Sequence, residues 1–211
     1  MEFVLTISAL LLSVVIHEYA HGWVASKRGD PTARLAGRLT LNPLKHIDPV
    51  GTILVPLMLR LMHLSPIGWA KPVPVNFEKL QNPRRDMALV AVAGPAVNIV
   101  AALFCAFLLK LIVSYEVLYH WKFMWVFLLF FIYMIYINLL LAVFNLMPIP
   151  PLDGSRIMLA VLPLPLVRLY RYIEPFGFII LIVLLNLGFL NFVDKIISFL
   201  FALLKLSINP P

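Results

Sequence analysis

Apolar residues fall along the chain in long runs separated by short polar and basic stretches. The first run covers residues 3–16, continues at helical spacing through 17–25, and ends at Lys27-Arg28. Residues 87–109 contain no charge, and residues 123–146 form the most apolar stretch. A further run covers residues 175–193. A helix needs roughly 17–25 apolar residues to cross a bilayer, so these four runs predict spans. Residues 50–62 are too few and are interrupted by Pro56 and Arg60, which predicts a re-entrant, tilted or partly buried segment. Residues 196–204 are too few to cross alone and are expected to extend the last span or to lie at the interface.

Two polar stretches carry a different period. Arg38-Leu39-Thr40-Leu41 alternates polar and apolar, between Gly37 and Asn42-Pro43. Residues 70–75 contain Pro72 and Pro74, which exclude helix and favour an extended edge. Both predict short strands at the membrane surface. The expected fold is thus an all-α polytopic membrane protein: a bundle of about four to six transmembrane or re-entrant helices with short membrane-proximal β-strands. Residues 1–211 are expected to form a single domain.

Composition strengthens this picture. Apolar residues make up 62% and charged residues 13% of the chain, with a mean hydropathy of +0.96. Soluble domains run at roughly 45–50% apolar and about 25% charged. A disordered chain and a soluble globule are excluded, and the lone Cys105 excludes an internal disulfide. The net charge of +7 sits in gaps between apolar runs, so it predicts basic loops on one membrane face and no nucleic-acid partner. Segments 27–49 and 71–85, together with Arg156, Arg168 and Arg171, are then cytoplasmic, while 110–122 and the N-terminus are external. Glu2 stands where a signal peptide has positive charge, and no small-x-small cleavage site follows, so the first span is expected to be retained.

The first span contains His17-Glu18-Tyr19-Ala20-His21, an H-E-x-x-H sequence. Residues i and i+4 share a helix face, so both imidazoles can reach one tetrahedral zinc. Glu18 lies beside them, where a carboxylate can take a proton from water. Ionisable groups at bilayer depth are costly unless paired, and three within five positions demand a partner. Catalytic zinc takes three protein ligands, so one must come from elsewhere. The candidates are His46, His63, His120 and Asp153. His120 falls on the external side, and His46 and His63 border loops. Asp153 follows the proline-rich break Pro148-Ile149-Pro150-Pro151 after the fourth run, and it also suits a helix cap. His21 and His17 lie roughly 9 and 15 Å below the basic boundary at Lys27, near the level to which that break returns.

These motifs resemble those of the site-2 proteases, the zinc intramembrane metalloproteases of peptidase family M50. The resemblance rests on His17-Glu18-x-x-His21, on Gly94-Pro95-Ala96-Val97-Asn98, and on Asn145-x-x-Pro148 followed by Asp153-Gly154. It covers most of the chain and is to a minimal form, without the PDZ or CBS domain that many members carry. It implies one zinc per chain, with His17, His21 and Asp153 as ligands and Glu18 as the catalytic base. Asn145 resembles the family's substrate-contacting asparagine. Asn98 is a second candidate for substrate binding, although Gly94 and Ala96 beside it equally suit helix packing. Asn138 lies seven residues before Asn145 and shares its helix face, where either amide could serve as interhelical glue.

The expected function is hydrolysis of peptide bonds in or near transmembrane segments of other membrane proteins. A membrane zinc or proton transporter and a non-catalytic binder of membrane segments are the alternatives. The partners are protein substrates and the lipid bilayer, with self-association left open. The expected location is the cell membrane, with the active site toward the cytoplasm. A substrate helix must unwind to be cut, so an exposed strand edge at 38–41 is expected to capture the extended stretch.

Overall fold

Periodic apolar runs become long helices, and prolines and glycines set their ends. The computed structural model describes residues 1–55, 58, 61, 70–114 and 123–204. In chain order the helices are α1 (Glu2–Lys27), α2 (Thr32–Leu35), α3 (Pro83–Ser114), α4 (Met124–Asn145), α5 (Asp153–Val161), α6 (Leu164–Ile173), α7 (Gly177–Asn186) and α8 (Phe189–Leu203). Four stretches are long and apolar enough to cross a membrane: α1, α3, α4 and the segment Leu164–Asn186.

Helices α1, α3 and α4 pack against one another, α5 lies against α3, and α8 returns onto α4. Small side chains let the long helices approach: Ala9, Ala102 and Ala106 are buried in the core. Helix α8 contributes Val193, Ile197 and Phe201, four residues apart on one face and all buried. Polarity is inverted relative to a water-soluble domain. Ser13, Asn98 and Asn138 are inaccessible, whereas Val100, Phe104 and Phe107 are each about 60% exposed. This arrangement of an apolar outside around a polar interior is that of an integral membrane protein, in which lipid covers the outer side chains.

Several expectations are corrected. Neither 38–41 nor 70–75 forms a strand, and no strand occurs among the described residues. Both stretches are irregular, and their backbone groups are bonded individually rather than in a ladder. Lys71 N–H donates to His46 O at 2.9 Å, and the Arg38 guanidinium donates to Lys71 O at 2.8 Å and to Pro72 O at 3.3 Å. Thr40 O accepts from the His46 ring at 2.9 Å. A free strand edge at 38–41 is therefore not formed.

The last stretch long and apolar enough to cross, Leu164–Asn186, begins earlier than the expected run 175–193. Gly188 adopts φ +85, a left-handed conformation that favours glycine, and separates α7 from α8. The turn there sends α8 back as its own packed helix. The re-entrant expectation for residues 50–62 falls mostly outside the described residues. Its beginning, Pro49–Leu54, is a single wide π turn, whose entry Asp48 caps by accepting from Val50 N–H and Gly51 N–H at 2.9 and 2.8 Å.

The connection after α1 is stapled by Asp30, a buried carboxylate. It accepts from Thr32 N–H at 3.0 Å, from the Thr32 hydroxyl, and from Asn76 N–H at 2.7 Å. Burial opposes its charge, but the bonds from Thr32 and Asn76, with Lys79 nearby, outweigh it and hold the carboxyl below its ordinary range. A lowered folded-state pKa contributes stability above the ordinary carboxylate value of about 3.9, and that stability is lost as pH falls through the folded-state value. Asp30→Ala is expected to cost about 2–3 kcal/mol near neutral pH, since it leaves donors without their charged acceptor. Thermal unfolding in detergent would measure this, and the gap between variant and parent should narrow in acid.

Candidate metal and catalytic site

Three elements bring the candidate residues together. His17 and His21 project from one face of α1, and Asp153 is the first residue of α5. Leu152 before it is extended, and no side chain caps this helix, so the Asp153 carboxylate is directed to the histidines rather than to its own backbone. His17 Nε2 lies 3.1 Å and His21 Nε2 3.2 Å from Asp153 Oδ2, and the two Nε2 atoms are 3.0 Å apart.

The protons on these rings can be assigned from bonding alone. Met134 O can only accept, and Asn138 Nδ2 donates to it at 2.7 Å. The other end of that amide, Asn138 Oδ1, must therefore accept from Asn98 Nδ2, at 2.8 Å. Asn98 Oδ1 is then the atom facing His17 Nδ1 at 2.7 Å, which must carry the hydrogen. His21 Nδ1 likewise donates to Val90 O at 2.7 Å. In the neutral rings, both Nε2 atoms are then left as lone pairs facing a carboxylate oxygen.

With both rings neutral, three lone pairs lie within 3.2 Å of each other and repel unless a cation, a metal ion or a ring proton, lies among them. Two imidazole nitrogens and one carboxylate oxygen are a donor set suited to zinc, whose tetrahedral ligands at roughly 2.0–2.2 Å stand about 3.3–3.5 Å apart. The outward bonds of both Nδ1–H groups are the second layer of support that such ligands need. Among the described residues this is the one group of histidines and acids able to hold a metal ion. His46 is not part of it: its Nε2 donates to Thr40 O. His63 and His120 lie outside the described residues.

Close approach makes the cluster possible. A Cβ at Gly94 would stand 2.4 Å from His21 Nε2 and 2.6 Å from His17 Nε2, so only glycine lets α3 pass against the Nε2 edge of both rings. A Cβ at Gly154 would meet the carbonyl oxygens of Leu146 and Met147 at 2.3 Å. The start of α5 is thereby pressed onto the end of α4. Arg84 holds the far end of α5, with Nε donating to Ala160 O at 2.7 Å.

Beside the cluster opens a cavity of about 650 Å³. Glu18 and Asn145 line it, among apolar walls that include Val73, Phe144 and Leu181. Glu18 Oε2 accepts from Val73 N–H at 2.7 Å. Asn145 Nδ2 donates to Leu141 O at 3.0 Å within its own helix, so its carboxamide oxygen is the atom left to meet a ligand. Asn98 does not line the cavity. It is fully buried against His17, Asn138 and Ser13 O, so in this structure it touches a candidate metal ligand. Asn138 Nδ2 also donates to Ser13 Oγ at 2.7 Å, so the amide network joins three spans. Sequence reasoning named Asn138 only as packing glue and missed the Val73 amide and the Val90 carbonyl. Backbone groups leave no side-chain signal to find.

Comparison with known proteins agrees with this geometry. The model for Peptidase family M50 matches residues 5–185, so the chain belongs to that family, the site-2 protease family of zinc metalloproteases. It is 42% identical over 175 residues to YwhC of Bacillus subtilis (strain 168), provisionally named a zinc metalloprotease; the match covers 83% of this chain and 77% of that one. It is 32% identical over 189 residues, 90% of this chain and 69% of the relative, to Rip2 of Mycolicibacterium smegmatis, named in the same provisional way. Rip2 of Mycobacterium tuberculosis is 29% identical over 153 residues, 72% of this chain and 55% of its own length. No solved structure gives a significant match.

The geometry at Gly94 yields a direct expectation. Gly94→Ala should drive a methyl group into both imidazoles and reduce bound zinc at least tenfold, while helix content stays at the parent level. Metal analysis and far-ultraviolet circular dichroism of the purified protein would measure both.

Proposed function

We propose that His17, His21 and Asp153 hold the catalytic zinc of this intramembrane metalloprotease and that Glu18 is its general base. One observation carries the reading: two ring lone pairs and a carboxylate oxygen meet within 3.2 Å beside a cavity that Glu18 lines. The substrates are membrane proteins, cut in or near their transmembrane segments, and residues 1–211 act as one protease domain. No comparison favours the transporter alternative.

When bound, zinc supplies a Lewis acid that polarises the scissile carbonyl and lowers the pKa of water to about 7. The protein's own groups do the rest. Glu18 takes the proton of the attacking water and hands it to the leaving amine. Asn98 fixes His17 with its Nε2 unprotonated and acts as a positioning residue rather than a substrate contact. Asn145 accepts a hydrogen bond from a backbone N–H that the substrate exposes on unwinding. The apolar walls hold the flanking side chains and keep bulk water from the reacting groups.

The basic segments around residues 27–49 and 71–85 support a cytoplasmic position for the site, in a cell membrane. Cysteines introduced into both segments, with Cys105 replaced, should react with an impermeant reagent from the cytoplasmic side only. Labelling of the two segments from opposite sides would refute this topology.

Glu18→Gln should keep zinc and the fold yet lose hydrolysis by about 10²–10⁴-fold, because an amide cannot accept the proton. His17→Ala and Asp153→Ala should lose zinc and activity together. The assay is cleavage of a co-reconstituted single-span polypeptide, with metal content measured on the same sample. Full activity in a zinc-loaded Glu18→Gln protein would overturn the mechanism.

A further inference from the structure

A general base works only if its carboxylate is held where the proton will be, and Glu18 has three side-chain torsions to fix. The surrounding sequence offers an unusual means. In Pro72-Val73-Pro74 the two prolines have no N–H, so Val73 supplies the only backbone donor of the three residues. That donor is spent on Glu18 Oε2 at 2.7 Å. The strap that carries it, residues 70–76, is anchored on both sides of Val73. Lys71 N–H bonds to His46 O, and Arg38 grips Lys71 O and Pro72 O. On the other side, Asn76 N–H bonds to Asp30 Oδ2 at 2.7 Å. The Val73 side chain is buried and wedged against α1 at Gly22, where an added Cβ would stand 2.8 Å from Val73 Cγ1. The same strap forms part of the cavity wall through Ala70, Pro72, Val73 and Val75.

We propose that Val73 is a positioning residue for the catalytic step: its backbone N–H, held by the proline-flanked strap, orients Glu18 and leaves Oε1 as the oxygen that receives the proton. This rests on Glu18 being the base. Prolines 72 and 74 stiffen the strap and remove neighbouring donors that could draw the carboxylate elsewhere. Gly22 is required because the strap must lie directly on α1 to bring the amide within reach. Asp30 and Arg38, both distant from the chemistry in sequence, serve the base by holding the strap's two ends.

Three measurements test this. Val73→Pro deletes the N–H, whereas Val73→Ala keeps it and removes only side-chain bulk. With a single-span polypeptide carrying Gly and Pro in its membrane segment as the probe, kcat of Val73→Pro should fall about tenfold to a hundredfold below that of Val73→Ala. KM should differ by less than about twofold between the two, and both should hold one zinc per chain. Gly22→Ala should also lower kcat with zinc retained, and Gly22→Ala/Val73→Ala should recover part of the loss because the nearest clashing atom is gone. The third measurement does not depend on proteolysis: amide hydrogen exchange in the peptide 70–76 of the full-length protein. Glu18→Ala should release one protected amide there, while the Asn76 amide stays protected by Asp30. Equal kcat for Val73→Pro and Val73→Ala, or unchanged exchange in Glu18→Ala, would overturn the proposal. If the parent protein cuts no probe, the protease reading fails by itself, and the exchange result still decides whether Val73 holds Glu18.

Discussion

A single carbonyl that can only accept a hydrogen bond sets the direction of the amide chain that leads to His17 in the metal cluster. Met134 O, in the middle of α4, orients the Asn138 amide, which orients Asn98, which in turn leaves a hydrogen on His17 Nδ1. All of these groups are shielded from water, so none can satisfy itself by another route. The cost of leaving any of them unpaired inside a membrane protein locks the chain of bonds in one polarity. Neutral His17 consequently presents the lone pair of Nε2 to Asp153 and His21. The arrangement stores a site for a cation in the hydrogen bonding of three spans.

The packing of the bundle follows from the same site. Helices must pass close enough for amides to meet, and they do so where side chains are smallest. Gly94 lies against the Nε2 edge of both imidazoles, and Gly154 follows Asp153 where α5 meets the end of α4. Ala9, Ala102 and Ala106 lie in the core beside larger apolar side chains such as Leu109, Ile135 and Leu139. Large apolar side chains face outward, where lipid rather than protein covers them. Stability and function are thus divided by radius: dispersion and lipid contact outside, directed polar bonds within.

The stretches between the spans have a structural role that their polarity conceals. Residues 27–49 and 70–79 are not free loops, because carboxylates and guanidinium groups take up their backbone donors and acceptors one by one. Asp30, Glu18 and Arg38 each bond to the segment 70–76 from a different direction. This individual bonding replaces a β-ladder, which Pro72 and Pro74 could not complete. It also connects the surface charges to the cavity, since the strap is both anchored by them and part of the cavity wall.

By itself the sequence determined the helical class, the spans α1, α3 and α4, and the pairing of His17 with His21. These are properties of local period: hydrophobic length against bilayer thickness, and the i, i+4 geometry of one helix. It also singled out Asp153, because irregular backbone at a proline-rich break needs a reason at membrane depth. Tertiary structure alone decided that Asn98 supports His17 instead of facing the cavity. It decided too that 38–41 and 70–75 form no strand. These depend on which group finds which partner, several of them more than thirty residues away in the chain, as with Asn98 and His17, Glu18 and Val73, and Arg38 and Lys71. Amide direction, close approach at a glycine and the acceptor chosen by a backbone N–H are set by packing in space, and periodicity along the chain carries no record of them.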